Sequence, residues 1–149
     1  MNWYLLLATL LLPLEETPPD SNLISEPHFS STPRVFHLPD RVLFNTRPFN
    51  LEVFIDFPRD SLESVSLFYK TDSLPRFHEI PMTLNAPRFL FRYDPLEHPA
   101  SQITYFFTVT TKDGALYATP VDSLGNLNPI TKFLLDPTEY FKRRSELRQ

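Results

Sequence analysis

Residues 49–57 place an apolar side chain at every second position. Phe49, Leu51, Val53, Ile55 and Phe57 alternate with Asn50, Glu52, Phe54 and Asp56. A repeat of two matches extended backbone, whose successive side chains point to opposite faces. It does not match the 3.6-residue repeat of a helix, so this stretch is predicted to be a half-buried strand. The device recurs. In residues 64–70, Val65, Leu67 and Tyr69 face one way and Ser66, Phe68 and Lys70 the other. In residues 102–111, Ile103, Tyr105, Phe107 and Val109 oppose Thr104, Phe106, Thr108 and Thr110.

Turn signals separate these segments. Pro58-Arg59-Asp60-Ser61 ends the first strand, and Asn85-Ala86-Pro87 leads into residues 88–93, where Phe89, Phe91 and Tyr93 share a face. Asp94-Pro95 closes that strand. Pro81 demotes residues 77–82 to an edge, because proline has no N–H for a sheet ladder. Lys112-Asp113-Gly114 is read as the hairpin turn before a returning strand at 115–119, since glycine accepts the positive φ such turns need. With a further strand at 35–38 the count is about seven. The prediction is an all-β antiparallel sandwich over residues 34–122. Aromatic residues make up 14% of the chain, which favours strands.

The flanks read differently. Residues 5–14, LLLATLLLPL, form an apolar run too short to span a bilayer and matched in length to the hydrophobic part of a secretory signal. Segment 1–14 is therefore expected to direct export to an extracytoplasmic location: periplasm, cell surface or medium. It departs from the standard pattern in having no preceding Lys or Arg and no small-x-small site after it. The reading weighed against export is a hydrophobic arm packed on the domain. Residues 15–33, rich in Pro, Ser and Thr, are expected to be a linker. Residues 123–149 are expected to be a loop followed by a short amphipathic helix over about 137–147. Asp136 would be its N-cap, Pro137 its first residue and Glu139 its third-position acid. Lys142, Arg143, Arg144 and Arg148 lie toward its end, where cations suit the helix dipole.

The order SVSLFYKTD, EIPMTL, FLFRYDP, ITYFFTVTTKDG resembles the immunoglobulin-like (fibronectin type III-like) β-sandwich modules of secreted bacterial proteins. The resemblance covers about residues 33–122, and its matching positions are framework ones: Tyr69, Pro81-Met82, Tyr105 and Asp113-Gly114. Thr111-Lys112 stand where an acid is typical before the turn. The resemblance implies an immunoglobulin-like fold and a role beside catalytic or adhesive domains. It carries no shared binding residue, and fold alone does not fix function.

The residue inventory excludes several chemistries. Cys is 0, so no disulfide, thiolate metal site or cysteine nucleophile exists. His28, His37, His78 and His98 show no metal-ligand spacing. No Gly-x-Ser-x-Gly elbow is present. Asp56, Asp60 and Glu63 are read as turn formers rather than paired catalytic carboxylates, and no loop motif supports calcium at Asp56, Asp60 or Asp113. No enzyme activity, metal or cofactor is expected. The formal charge of -4 arises from Glu15, Glu16, Asp20 and Glu26; from Arg34 onward acids and bases balance. No nucleic-acid partner is expected.

The candidate contact residues are Phe68, Phe106, Tyr140 and Phe141. Phe68 and Phe106 are predicted to sit on the solvent side of one sheet. They would act either as a cross-strand pair or as a docking surface. Tyr140, Phe141 and Leu147 form the helix's apolar stripe, which would dock on the Phe68/Phe106 patch or on a neighbouring protein. The function expected is a non-catalytic extracytoplasmic interaction or accessory module that binds a protein or glycan partner, or a neighbouring domain. The alternatives are a spacer or N-terminal fragment of a larger secreted enzyme, and a carbohydrate-binding module. For the last, the sole Trp, Trp3, lies outside the predicted domain.

Overall fold

The computed structural model describes residues 29, 34–83 and 88–148. The apolar segment 1–14, nearly all of the linker 15–33 and the turn at 85–87 lie outside the described residues. Among these residues nine strands and one α-helix follow in order: β1 (Val35–Phe36), β2 (Leu43–Phe44), β3 (Phe49–Ile55), β4 (Leu62–Thr71), β5 (His78–Pro81), β6 (Arg88–Tyr93), β7 (Gln102–Thr111), β8 (Leu116–Thr119), β9 (Ile130–Leu135) and α1 (Pro137–Glu146).

The strands form two sheets that pack as a β-sandwich. The smaller sheet has the order β1-β3-β6 and is antiparallel throughout. The larger has the order β2-β9-β7-β4-β5. β7 is its axis. One edge pairs with β4 from Leu62↔Thr111 to Thr71↔Ile103, with an irregularity between Leu62 and Ser64. The other edge pairs with β9 along Gln102–Tyr105 and with β8 along Phe107–Thr110, so those two strands lie end to end.

The alternation read from the sequence accounts for the interior. Leu51, Val53 and Ile55 of β3 and Phe89 and Tyr93 of β6 meet Val65, Leu67 and Tyr69 of β4 and Ile103, Tyr105, Phe107 and Val109 of β7. Burying one such side chain contributes about 1.5–3 kcal/mol, which is how the sandwich holds without a cross-link. The buried hydroxyls are satisfied locally. Ser66 Oγ donates to Glu79 at 2.7 Å, and Thr71 Oγ1 accepts from the Leu74 N–H at 3.0 Å.

Three details depart from the sequence prediction. Residues 130–135, within the segment 123–149 for which only a loop and a helix are expected, form β9, so the larger sheet draws on chain beyond Asp122 and the described residues hold nine strands rather than about seven. β2 was not anticipated, and it pairs parallel to β9 through Leu43↔Leu134 and Phe44↔Leu135, so the sandwich is not wholly antiparallel. β1 stops at Phe36 instead of continuing to residue 38. The reason is His37, whose ring turns in between the sheets: Nδ1 bonds the Glu52 carbonyl of β3 and Nε2 lies 2.9 Å from the Tyr105 hydroxyl of β7.

Candidate functional site

The outer face of the larger sheet carries the aromatic side chains singled out by the sequence. Phe68 of β4 and Phe106 of β7 are directly opposite in register. Their rings stack at 5.0 Å between centroids and 4° between planes. Phe77 closes edge-on against Phe106 at 5.2 Å, and the Lys70 ammonium lies 4.9 Å from the Phe77 centroid. The two stacked rings cover each other's facing sides, and the charge of Lys70 lies over Phe77, which is 40% exposed.

The second pair of candidates lies elsewhere. α1 forms where its capping signals predicted, with the Asp136 carboxylate accepting the N–H groups of Thr138 at 2.7 Å and Glu139 at 3.4 Å. Pro137 occupies the first turn, where its missing N–H costs nothing. The helix does not dock on Phe68 and Phe106. Tyr140 and Phe141 pack instead around Phe44 of β2, at 5.6 and 5.9 Å. Phe44 is paired with Leu135 and faces outward, because its neighbours Leu43 and Leu134 belong to the core. The Arg47 guanidinium sits 5.0 Å from the Phe44 ring. A ten-residue helix has little stability alone, so it needs an apolar anchor, and the chain brings Phe44 to it through the β2–β9 pairing.

Between these two clusters lies β9. Its outward side chains are Thr131, Phe133 and Leu135. Thr131 is tied to Thr104 by their hydroxyls at 2.9 Å. Phe133 is 65% exposed and Phe141 57% exposed, whereas Phe44 is 9% exposed. Phe133, Leu135 and Phe44 escaped the sequence reading. The signal available was the apolar run at 133–135, but Lys132 on the inner side obscured its alternation.

α1, the end of β9 and Arg41 also line an open groove of about 460 Å³, to which Leu135, Tyr140, Arg143, Arg144 and Leu147 contribute. Glu139 pairs with Arg143 at 3.5 Å.

The titratable groups are engaged in structure. The Glu52 carbonyl is only an acceptor, so the His37 Nδ1 carries the proton and Nε2 accepts from the Tyr105 hydroxyl. Burial holds the His37 pKa below its ordinary value and raises that of Tyr105, so both groups are neutral. Three turn carboxylates are held below the usual range, each first by a side-chain hydrogen bond: Asp72 from Ser101, Asp113 from Thr111 and Asp122 from Asn126. Asp56 offers its backbone carbonyl to the Arg34 guanidinium at 2.8 and 3.0 Å, and Asp60 lies in a single 3-10 turn, Arg59–Ser61. His78 lies on the edge strand opposite Tyr69, and the His98 carbonyl accepts from the Tyr93 hydroxyl at 2.6 Å. His28 lies outside the described residues. Among the described residues no three His, Asp or Glu side chains lie together to hold a metal ion. Nor is any described helix long and apolar enough to cross a membrane.

The chain matches no protein-family model and no curated protein sequence.

Proposed function

We propose that this chain is a non-catalytic extracytoplasmic interaction module of immunoglobulin-like type that binds a protein partner through the outer face of β9 and the adjoining helix. One observation carries the reading. On the outer face of the larger sheet, Phe68 and Phe106 are stacked on each other and Phe44 lies under α1, while Phe133 between them is 65% exposed and Leu135 beside it 37% exposed. Exposed apolar side chains between packed clusters are the composition of a docking centre.

The strand order β1-β3-β6 facing β2-β9-β7-β4-β5 supports the immunoglobulin-like class, with β8 and β9 together filling the place of one broken strand along β7. The non-catalytic reading draws support from the engagement of His37, Asp72, Asp113 and Asp122 in core or turn hydrogen bonds. A protein partner is favoured over a glycan because Phe68 and Phe106 stack on each other rather than presenting a ring face. The extracytoplasmic location rests on the apolar run at residues 5–14.

A photo-crosslinking residue placed at position 133 in the full chain tests the reading, with position 90 on the smaller sheet as control. One defined adduct from 133 and none from 90 is the expected result. Equal or absent crosslinking from the two faces would favour a spacer. N-terminal sequencing of the chain from a fractionated host tests its location; a start between about residues 15 and 30 is expected for a processed export signal.

A further inference from the structure

The groove beside α1 continues the face on which Phe133 stands. Leu135 follows Phe133 by two residues along β9, so both point the same way, and Leu135 lines the groove. Leu147, at the end of α1, lines it as well and is 88% exposed. Its cations come from two separate parts of the chain: Arg41 ahead of β2, and Arg143 and Arg144 on the helix. Its two acids are already engaged. The Asp136 carboxylate caps the helix, and Glu139 lies 3.5 Å from Arg143. Among the described residues neither Arg41 nor Arg144 has a carboxylate at ion-pair distance, and Arg144 reaches only the Tyr140 hydroxyl, at 3.5 Å. Guanidinium groups without an anion, set beside open leucines, match a ligand that carries both carboxylates and apolar side chains.

The helix sets the length of such a ligand. The 10 residues of α1 rise about 1.5 Å each, so the groove beside them runs about 15 Å, the span of roughly five residues of extended chain. Alternate side chains of an extended segment point to opposite sides. Acids at its first, third and fifth positions would share one side and apolar residues at its second and fourth the other. A protein segment fits this surface better than a membrane or a nucleic acid does. Asp136, Glu139 and Glu146 stand on the same helix as the cations and would repel a continuous polyanion, whereas a few discrete carboxylates can be placed beside the arginines alone.

We propose that the groove lined by Arg41, Arg144, Leu135 and Leu147 receives an extended acidic segment of the protein partner, its carboxylates at the two arginines and its apolar side chains at the two leucines. This rests on the reading of β9 and α1 as a partner-binding face and adds the chemistry of the partner. Exposed charge pairs are weak singly, so a five-residue segment alone binds with a Kd on the order of 1 mM, and the two arginines together account for about tenfold of it.

The test titrates the full chain, methyl-labelled for NMR, with the capped peptide Asp-Leu-Glu-Leu-Asp and with its uncharged analogue Asn-Leu-Gln-Leu-Asn. The parent is compared with Arg41→Gln/Arg144→Gln, in which unshifted Val53 and Leu67 methyls report that the sandwich is intact. The acidic peptide should move the Leu135 and Leu147 methyls of the parent saturably. The uncharged peptide, the double variant and high salt should each raise the midpoint about tenfold. Equal shifts from the two peptides, equal midpoints for parent and variant, or no shift from either peptide overturns the proposal. Leu135 and Leu147 shifts that follow protein concentration without peptide overturn it in favour of a second copy. Shifts that follow only added vesicles of anionic phospholipid overturn it in favour of a membrane surface. The photo-crosslink at position 133 separates the two readings: a defined adduct there with a silent groove removes the acidic segment and keeps the partner face, whereas no adduct removes the partner face itself.

Discussion

The chain contains two glycines, and both sit at positive φ: Gly114 at +83° and Gly125 at +82°. They form an internal control. A Cβ at Gly114 would meet nothing within 4 Å, whereas a Cβ at Gly125 would lie 2.6 Å from the Phe29 carbonyl oxygen. Alanine at either site carries the left-handed backbone penalty, about 1–2 kcal/mol. Gly125→Ala adds the collision, and because the colliding atom is backbone, the relief available is for Phe29 to leave. That forfeits the burial of a phenylalanine, about 1.5–3 kcal/mol, and a backbone hydrogen bond of about 0.5–1.5 kcal/mol. The freed residue recovers about 1–2 kcal/mol of conformational entropy. Gly125→Ala should therefore cost about 1–3 kcal/mol more than Gly114→Ala. Urea unfolding of the full chain measures both, with Phe29→Ala and the Gly125→Ala/Phe29→Ala double variant completing a cycle. The double variant should be much less destabilised than the sum of the singles. Equal costs for the two glycine substitutions, or additive behaviour in the cycle, would refute the idea that Gly125 is needed for the approach of Phe29.

Further outcomes follow from the same geometry. His37 has a depressed pKa in the folded state, so between that value and 6.5 the unfolded chain binds the extra proton. Its contribution is complete above pH 6.5 and lost as pH falls through the folded value; chemical denaturation between pH 7.5 and 5 should show a decline that His37→Gln flattens. Asp136→Ala removes the helix cap and should cost about 0.5–2 kcal/mol of local stability. The readout is loss of far-ultraviolet helical signal with the sandwich unfolding midpoint nearly unchanged. A double-mutant cycle on Phe68→Ala and Phe106→Ala should return a coupling of about 0.5–1.5 kcal/mol; a value near zero would mean that the stacked pair is only two neighbouring rings. Phe133→Ser should change global stability by less than about 0.5 kcal/mol while abolishing the crosslinked adduct formed from the neighbouring helix at position 141.

Strand interiors were legible because period-two alternation is a local property, and burial then follows the pattern. Val53, Leu67, Tyr105 and Phe107 point where the sequence places them. The capping of α1 was legible for the same reason, since Asp136, Pro137 and Glu139 act within one turn. β9 was harder. Lys132 occupies an inward position opposite Ile103, so the strand alternates with a lysine on the core side and phenylalanine outside. β2 is two residues long and carries no period at all; it exists because Leu134 and Leu135 offer it a partner. Of the candidate contacts, Phe68 and Phe106 were placed on the right face. Their ring geometry depends on the register of β4 against β7 and on Phe77 packing edge-on against Phe106.

What the chain's own order of residues settles is which side of each long strand is oily, where the turns fall and where the helix begins. Those are outcomes of backbone sterics and of hydrogen bonds between near neighbours. Only the folded molecule decides that α1 rests on Phe44, that His37 joins the two sheets through Tyr105, and that Phe133 is left open. Each of these depends on contacts between segments far apart in sequence, which become neighbours when the two sheets close and not before.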